Sequence, residues 1–153
     1  MTGLLRIIGP AALLLVAAPA RADAGAETLC VRVSTPAAAK TYPVAAGDLL
    51  QIAFTHSIHG SRVEERFQIN STNFETVDVR YSEPRLLDFY GFESAARDGE
   101  WWVAHPARRT FPALALRASG DADLQISFGD HAVSLKDAAA RVSLVPCSCS
   151  THG

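Results

Sequence analysis

The sequence predicts an all-β fold: a single-domain antiparallel β-sandwich or barrel of about eight to ten strands, with little helix. Three observations lead there. Apolar and polar residues alternate along nine successive runs, the period of half-buried strands. Turn-forming pairs such as Gly47-Asp48, His59-Gly60, Asp98-Gly99, Gly120-Asp121 and Gly129-Asp130 stand between the runs. The chain has 153 residues, 48% hydrophobic and 20% charged, which suits one globular domain with its own core.

Residues 1–22 read MTGLLRIIGPAALLLVAAPARA, with Arg6 ahead of an apolar stretch and Ala20-Arg21-Ala22 at its end. That order is expected of a secretory signal peptide, and the apolar stretch is too short for a membrane span. Cleavage after Ala22 removes Arg6 and Arg21 and takes the formal charge from −2 to −4. Leu29 precedes Cys30, where a lipoprotein signal needs a small residue. The expectation is an exported protein, periplasmic or extracellular, with no further membrane span. Its domain covers residues 23–146, followed by a cysteine-containing tail at 147–153. The acidic balance argues against a nucleic-acid partner, which requires a basic face.

Along the domain the first run is Leu29, Val31 and Val33. Leu50, Ile52, Phe54 and His56 share a face of the second, and Val63, Glu65, Phe67 and Ile69 a face of the third. Val77, Val79 and Tyr81 follow, then Trp101–Ala104, Leu114–Ala118, Leu124–Phe128, Ala132–Leu135 and Val142–Val145. Gly129-Asp130 predicts a two-residue hairpin loop. Ala37–Lys40 and Asp137–Arg141 are the only segments read as helical, the second also as a plain turn. Residues 82–98 break the alternation, and a connection that long is either mobile or functional.

Export permits disulfides. Cys30 opens the first strand and Cys147 follows the last, so a bridge between them is expected, leaving Cys149 unpaired. The alternative is a soft-metal set of Cys147, Cys149 and His152; a lone tail without a second cluster makes a poor site, and no metal or cofactor is assigned.

The stretch from Phe54 to Phe67 reads as strand, short loop and strand. With the loop centred near His59-Gly60, His56 and Glu65 project to one side and are expected within side-chain reach. A carboxylate on an apolar face demands a partner, and His56 beside it is expected to charge more readily. The pair either binds a ligand or moves a proton, or it only fixes strand register. Ser57 adjoins His56 but points to the opposite face, so His56 cannot easily activate it.

This hairpin resembles the bacterial family of domains of unknown function designated DUF1850, whose members read His-Ser-x-Glu, a Pro-Val pair, then Glu and an apolar residue. His56, Ser57, Val63, Glu65 and Phe67 fall on that pattern. The preceding PVAAGDLLQIAFTHS matches too, and the resemblance extends loosely from Cys30 to about Val145. His59 stands where the family prefers an acid and Arg62 where it prefers proline. Ser82–Glu93 replaces the family's Gly-rich segment. The resemblance implies a small exported protein associated with TAXI-class TRAP transporters, whose substrates are organic acids.

Other candidates are Trp101 and Trp102 with Phe111 as a stacking surface, one tryptophan facing the core and the other outward. Arg108 and Arg109, beside His105-Pro106, are suited to a carboxylate or form a solvated basic turn. His131 is expected exposed in its turn. Three function classes stand. The leading one is a non-catalytic periplasmic binding or accessory module, taking a transporter component or a small anionic ligand through His56, Ser57, Glu65, Arg108 and Arg109. The second is a small hydrolase using His56 and Glu65 as acid and base. The third is a structural interaction domain without a pocket.

Overall fold

The computed structural model describes residues 29–118, 122–136 and 138–147. The leader expected over residues 1–22, and Cys149 and His152 of the tail, lie outside the described residues. Strands β1 (Leu29–Ser34), β2 (Ala39–Val44), β9 (Ala113–Arg117) and β12 (Ala139–Pro146) form one sheet in the order β2-β1-β12-β9. The second sheet runs β11 (His131–Leu135), β10 (Leu124–Phe128), β3 (Leu49–Thr55), β4 (Arg62–Ile69), β5 (Phe74–Tyr81), β7 (Trp101–Ala104) and β6 (Ala96–Asp98). The short β8 (Thr110–Phe111) also pairs with β5. Every pairing is antiparallel.

The inward residues of the alternating runs explain why the sheets stack. Val31, Val33, Leu114 and Val142 from the first sheet meet Leu50, Ile52, Phe67, Ile69, Phe74, Ile126 and Phe128 from the second in one core. Removing those side chains from water is the main stabilising term, about 1.5–3 kcal/mol for each large one. Cys30 and Cys147 are bonded, with Cα atoms 5.1 Å apart across 117 positions. Closing a loop of that length contributes up to about 4–5 kcal/mol through the entropy of the unfolded chain. Cys147 is thereby unavailable as a metal ligand, and no cluster of three metal-binding side chains occurs among the described residues.

All nine predicted runs are strands, and Phe128 and His131 flank the two-residue hairpin loop. Three further strands, β2, β6 and β8, bring the total among the described residues to twelve. The helical expectations are overturned. Ala39 and Lys40 begin β2, and Ala139–Arg141 begin β12. Pairing decides both, since Ala39 and Lys40 lie beside β1 and Ala139–Arg141 beside β9, and tertiary hydrogen bonding outweighs weak local preference. Pro43 is tolerated because β2 is an edge strand.

The one helix among the described residues lies where the alternation fails. Helix α1 (Leu86–Tyr90) ends at Gly91, whose φ of 67° is the left-handed conformation a Schellman cap needs. The Gly91 N–H donates to the Asp88 carbonyl, and the Phe92 N–H to the Leu87 carbonyl. Leu86, fully buried, packs with Val63, Val79, Tyr81 and Ala104 into a second, smaller core, flanked by Phe54, Leu87, Tyr90, Phe92 and Trp102. The inner face of the larger sheet therefore has two covers. The smaller sheet lies over one part, and the strap of residues 82–95 over the end near the β3–β4 hairpin.

On the opposite face of β4 and β5, Arg66 spans the pair to Asp78 with two hydrogen bonds, one of 2.7 Å from Nε to Oδ1. Asp78 is 3% exposed, so this ion pair neutralises a buried carboxylate. No helix among the described residues is long and apolar enough to cross a membrane.

Candidate functional site

His56 is the first residue beyond β3. Its N–H donates to the Ser61 carbonyl, and its carbonyl accepts from the Gly60 N–H, both at 2.8 Å. These bonds close a loop over residues 57–60, and Gly60, at φ 59°, supplies its left-handed position. The alternation of β3 turns the His56 ring to the inner face, beneath the strap. There it meets Phe89 edge-on at 4.6 Å between ring centres, His59 at 5.2 Å and Tyr90 at 6.0 Å.

His56 is only 7% exposed, and its Nδ1 has no hydrogen-bond partner among the described residues. Ser61 Oγ, Tyr81 Oη and Trp102 Nε1 are likewise buried and unpartnered. All four belong to residues on the same side of the sheet as the strap. Burial, and secondarily the charge of His59, hold the His56 imidazole below its usual range. Tyr81 is pushed up by burial and by Asp88.

Glu65 faces the same side, as the alternation requires, but it is not beside His56. Glu65 is opposite Ile52, Val63 is opposite Phe54, and His56 is opposite Ser61. The Phe54–Val63 pair thus stands between them. Four residues of strand at about 3.3 Å each separate their rows by roughly 13 Å. No hydrogen bond or ion pair joins the two among the described residues. The expected contact fails because the loop closes on the His56–Ser61 pair, placing His56 at the hairpin's end and Glu65 deep in the sheet. The expected electrostatics fail with it: His56 is pushed down, not up.

Glu65 lies in the seam between the two cores, with Ile52 of the larger core on one side and Val79 of the smaller on the other. Burial pushes its carboxyl above the ordinary range. Its charge reaches Tyr90 of α1, whose phenol is pushed up to about 12 by burial and by Glu65. Tyr90 therefore touches His56 and feels the charge of Glu65, the two halves of the predicted pair.

Ser57 is exposed in the loop. Arg108 and Arg109 do not converge on His56. They follow the other end of β5, where the Thr76 N–H donates to the Arg109 carbonyl. From Thr76 to Tyr81, next to the strap, is roughly 16 Å of strand. There a bulge at Val77 leaves a cleft of about 330 Å³ lined by Gln68, Glu75, Thr76, His105, Pro106 and Arg108. Arg108 is 83% exposed and donates one hydrogen bond, from Nη1 to Glu75 at 2.8 Å.

The aromatic candidates also separate. Trp102 joins the smaller core with Arg97 over its ring, while Trp101 lies under Arg80. The two tryptophans face opposite ways, as consecutive strand residues must. Phe111 packs on the larger core near Phe67 and shares no surface with them. His131 is half-buried against Tyr42 and Phe128, not free in its turn.

The strap itself went unread in the sequence. Its signal was present: Leu86, Leu87, Phe89 and Tyr90 have one turn of helical spacing, with Pro84 ahead and Gly91 behind. Phe89 at 53% and Ile58 at 70% are among the few large apolar side chains left exposed. They belong to the two elements that meet at His56, the strap and the loop.

Fold and site define a β-sandwich whose sheet is capped at one end by a short helical strap. The family model described as a domain of unknown function, DUF1850, matches residues 50–135. That is more than half of the chain, which therefore belongs to this family. No curated protein and no solved structure matches the chain significantly.

Proposed function

We propose that the protein is an exported, non-catalytic accessory module that docks a protein partner at the tip formed by loop 57–60 and α1. The partner we assign is a component of a TAXI-type TRAP transporter, as the family resemblance implies. The observation that carries the docking reading is the exposure of Ile58 and Phe89 on adjoining elements around His56. Apolar side chains left in water at one place are the mark of a protein contact. The two other readings have less support. A hydrolase needs acid and base on one substrate, and the Phe54–Val63 pair holds Glu65 away from His56. For a small anion, Arg108 stands at the far end of β5 from His56 and is exposed, with Glu75 already bonded to it.

The test is photocrosslinking in periplasm from a probe at Ile58, with capture by the wild type compared against Phe89→Asp. Crosslinking to a transporter component, and its loss in Phe89→Asp at unchanged melting temperature, is the expected result. A tip that crosslinks to nothing, or capture that survives Phe89→Asp undiminished, overturns the proposal.

A further inference from the structure

We propose that His56 is an acid-sensitive latch: when its ring takes up a proton, the strap carrying α1 is released from the hairpin tip. This deepens the docking reading, since Phe89 rides on the strap, but the latch itself is a property of the protein alone.

The geometry makes His56 the joint between strap and tip. Phe89 and Tyr90 of α1 stand nearly perpendicular to its ring, at 86° and 82°. A neutral imidazole with its proton on Nε2 carries no charge and leaves only a lone pair at the buried Nδ1. An imidazolium carries a donor on both nitrogens. Nδ1 would then present a buried N–H with no acceptor, on a charged ring withdrawn from water, which is the costly arrangement.

The surrounding charges do not relieve it. On the strap Glu83 is engaged by Arg85 at 3.1 Å, and Asp88 bears on Tyr81. On β4, Arg62 turns to Glu64, and Glu65 bears on Tyr90. His59, from the loop, is the neighbour that acts on His56, and it disfavours the charge.

The sign follows. In the closed form His56 titrates below its ordinary value of 6.5, and in the released form at that value. The closed form is therefore unpenalised above pH 6.5 and weakens as pH falls from 6.5 toward the lowered value. One proton limits the loss to about tenfold per pH unit.

Amide hydrogen exchange, expressed as protection factors, tests this on the isolated protein between pH 7.5 and 4.5. Protection over residues 57–60 and 86–92 is expected to fall by up to about tenfold per pH unit below 6.5, while that of β1 and β12 holds. His56→Phe, which keeps a buried ring, is expected to abolish the fall, and His59→Gln to reduce it. A wild type with level protection, or an equal fall in His56→Phe, overturns the latch. Should His56→Phe not fold, the ring nitrogens of wild-type His56 decide by NMR titration: a midpoint below 6.5 supports the latch and one at or above it refutes it. A latch that works while crosslinking at Ile58 fails would leave the docking reading alone in error.

Discussion

Replacing Glu65 by glutamine should stabilise the protein at neutral pH. Glu65 carries its charge in the seam between the two cores, and burial alone accounts for its raised carboxyl. No cation or N–H among the described residues compensates it. An unsatisfied buried polar group costs about 1–3 kcal/mol. Glu65 is only partly covered, and the amide of glutamine is itself a polar group without a partner, so only the part due to the charge is recovered, about 1 kcal/mol. Glutamine keeps the shape and removes the charge. For a domain of this size the gain corresponds to a rise in Tm of roughly 3–5 °C.

The pH dependence makes the test specific. A carboxyl whose pKa is raised on folding favours the fold fully below its unfolded value, here 4.5, and loses that contribution as pH rises through the folded value. Wild type and Glu65→Gln should therefore coincide in urea unfolding at pH 4 and diverge by pH 7, with the variant more stable. Equal stabilities at pH 7, or a wild type that is the more stable, would refute the claim that Glu65 is desolvated without a partner.

Two further outcomes concern the covers of the sheet. Leu86→Ala removes the fully buried anchor of the strap and should cost about 2–5 kcal/mol, with a change in fluorescence from Trp102, which shares that core. An unaltered unfolding curve would show that the strap does not hold the smaller core together. Arg66→Met leaves Asp78 buried and unpaired and should cost about 3 kcal/mol. Adding Asp78→Leu should restore most of it, which chemical denaturation of the single and double variants will measure.

The alternating runs were enough to assign nine of the strands, the hairpin loops and the bridge from Cys30 to Cys147. Alternation reports directly which side chains turn inward, and each run is long enough to show it. Strand β2 escaped because Pro43 interrupts it, and β8 because two residues show no period. The strap escaped for a related reason: one helical turn is too short to stand out from an irregular connection.

The site was half legible. Period two correctly put His56 and Glu65 on one face. Their separation depends on how far the strands run before the loop closes, and that depends on which pair the loop residues bond. Nor does the hairpin's sequence contain the rings of Phe89 and Tyr90, which come from some thirty positions further along and bury His56.

What the sequence alone determined is nine of the strands, the face of most side chains on them (the bulge at Val77 excepted) and the two cysteines that meet, because these follow from local alternation and from chain ends lying side by side. What only the tertiary structure decided is the company each inward group keeps. Register set Glu65 in the seam and His56 at the tip, and the fold of the strap over that tip turned a predicted ion pair into two separate polar groups, His56 buried and Glu65 partly covered.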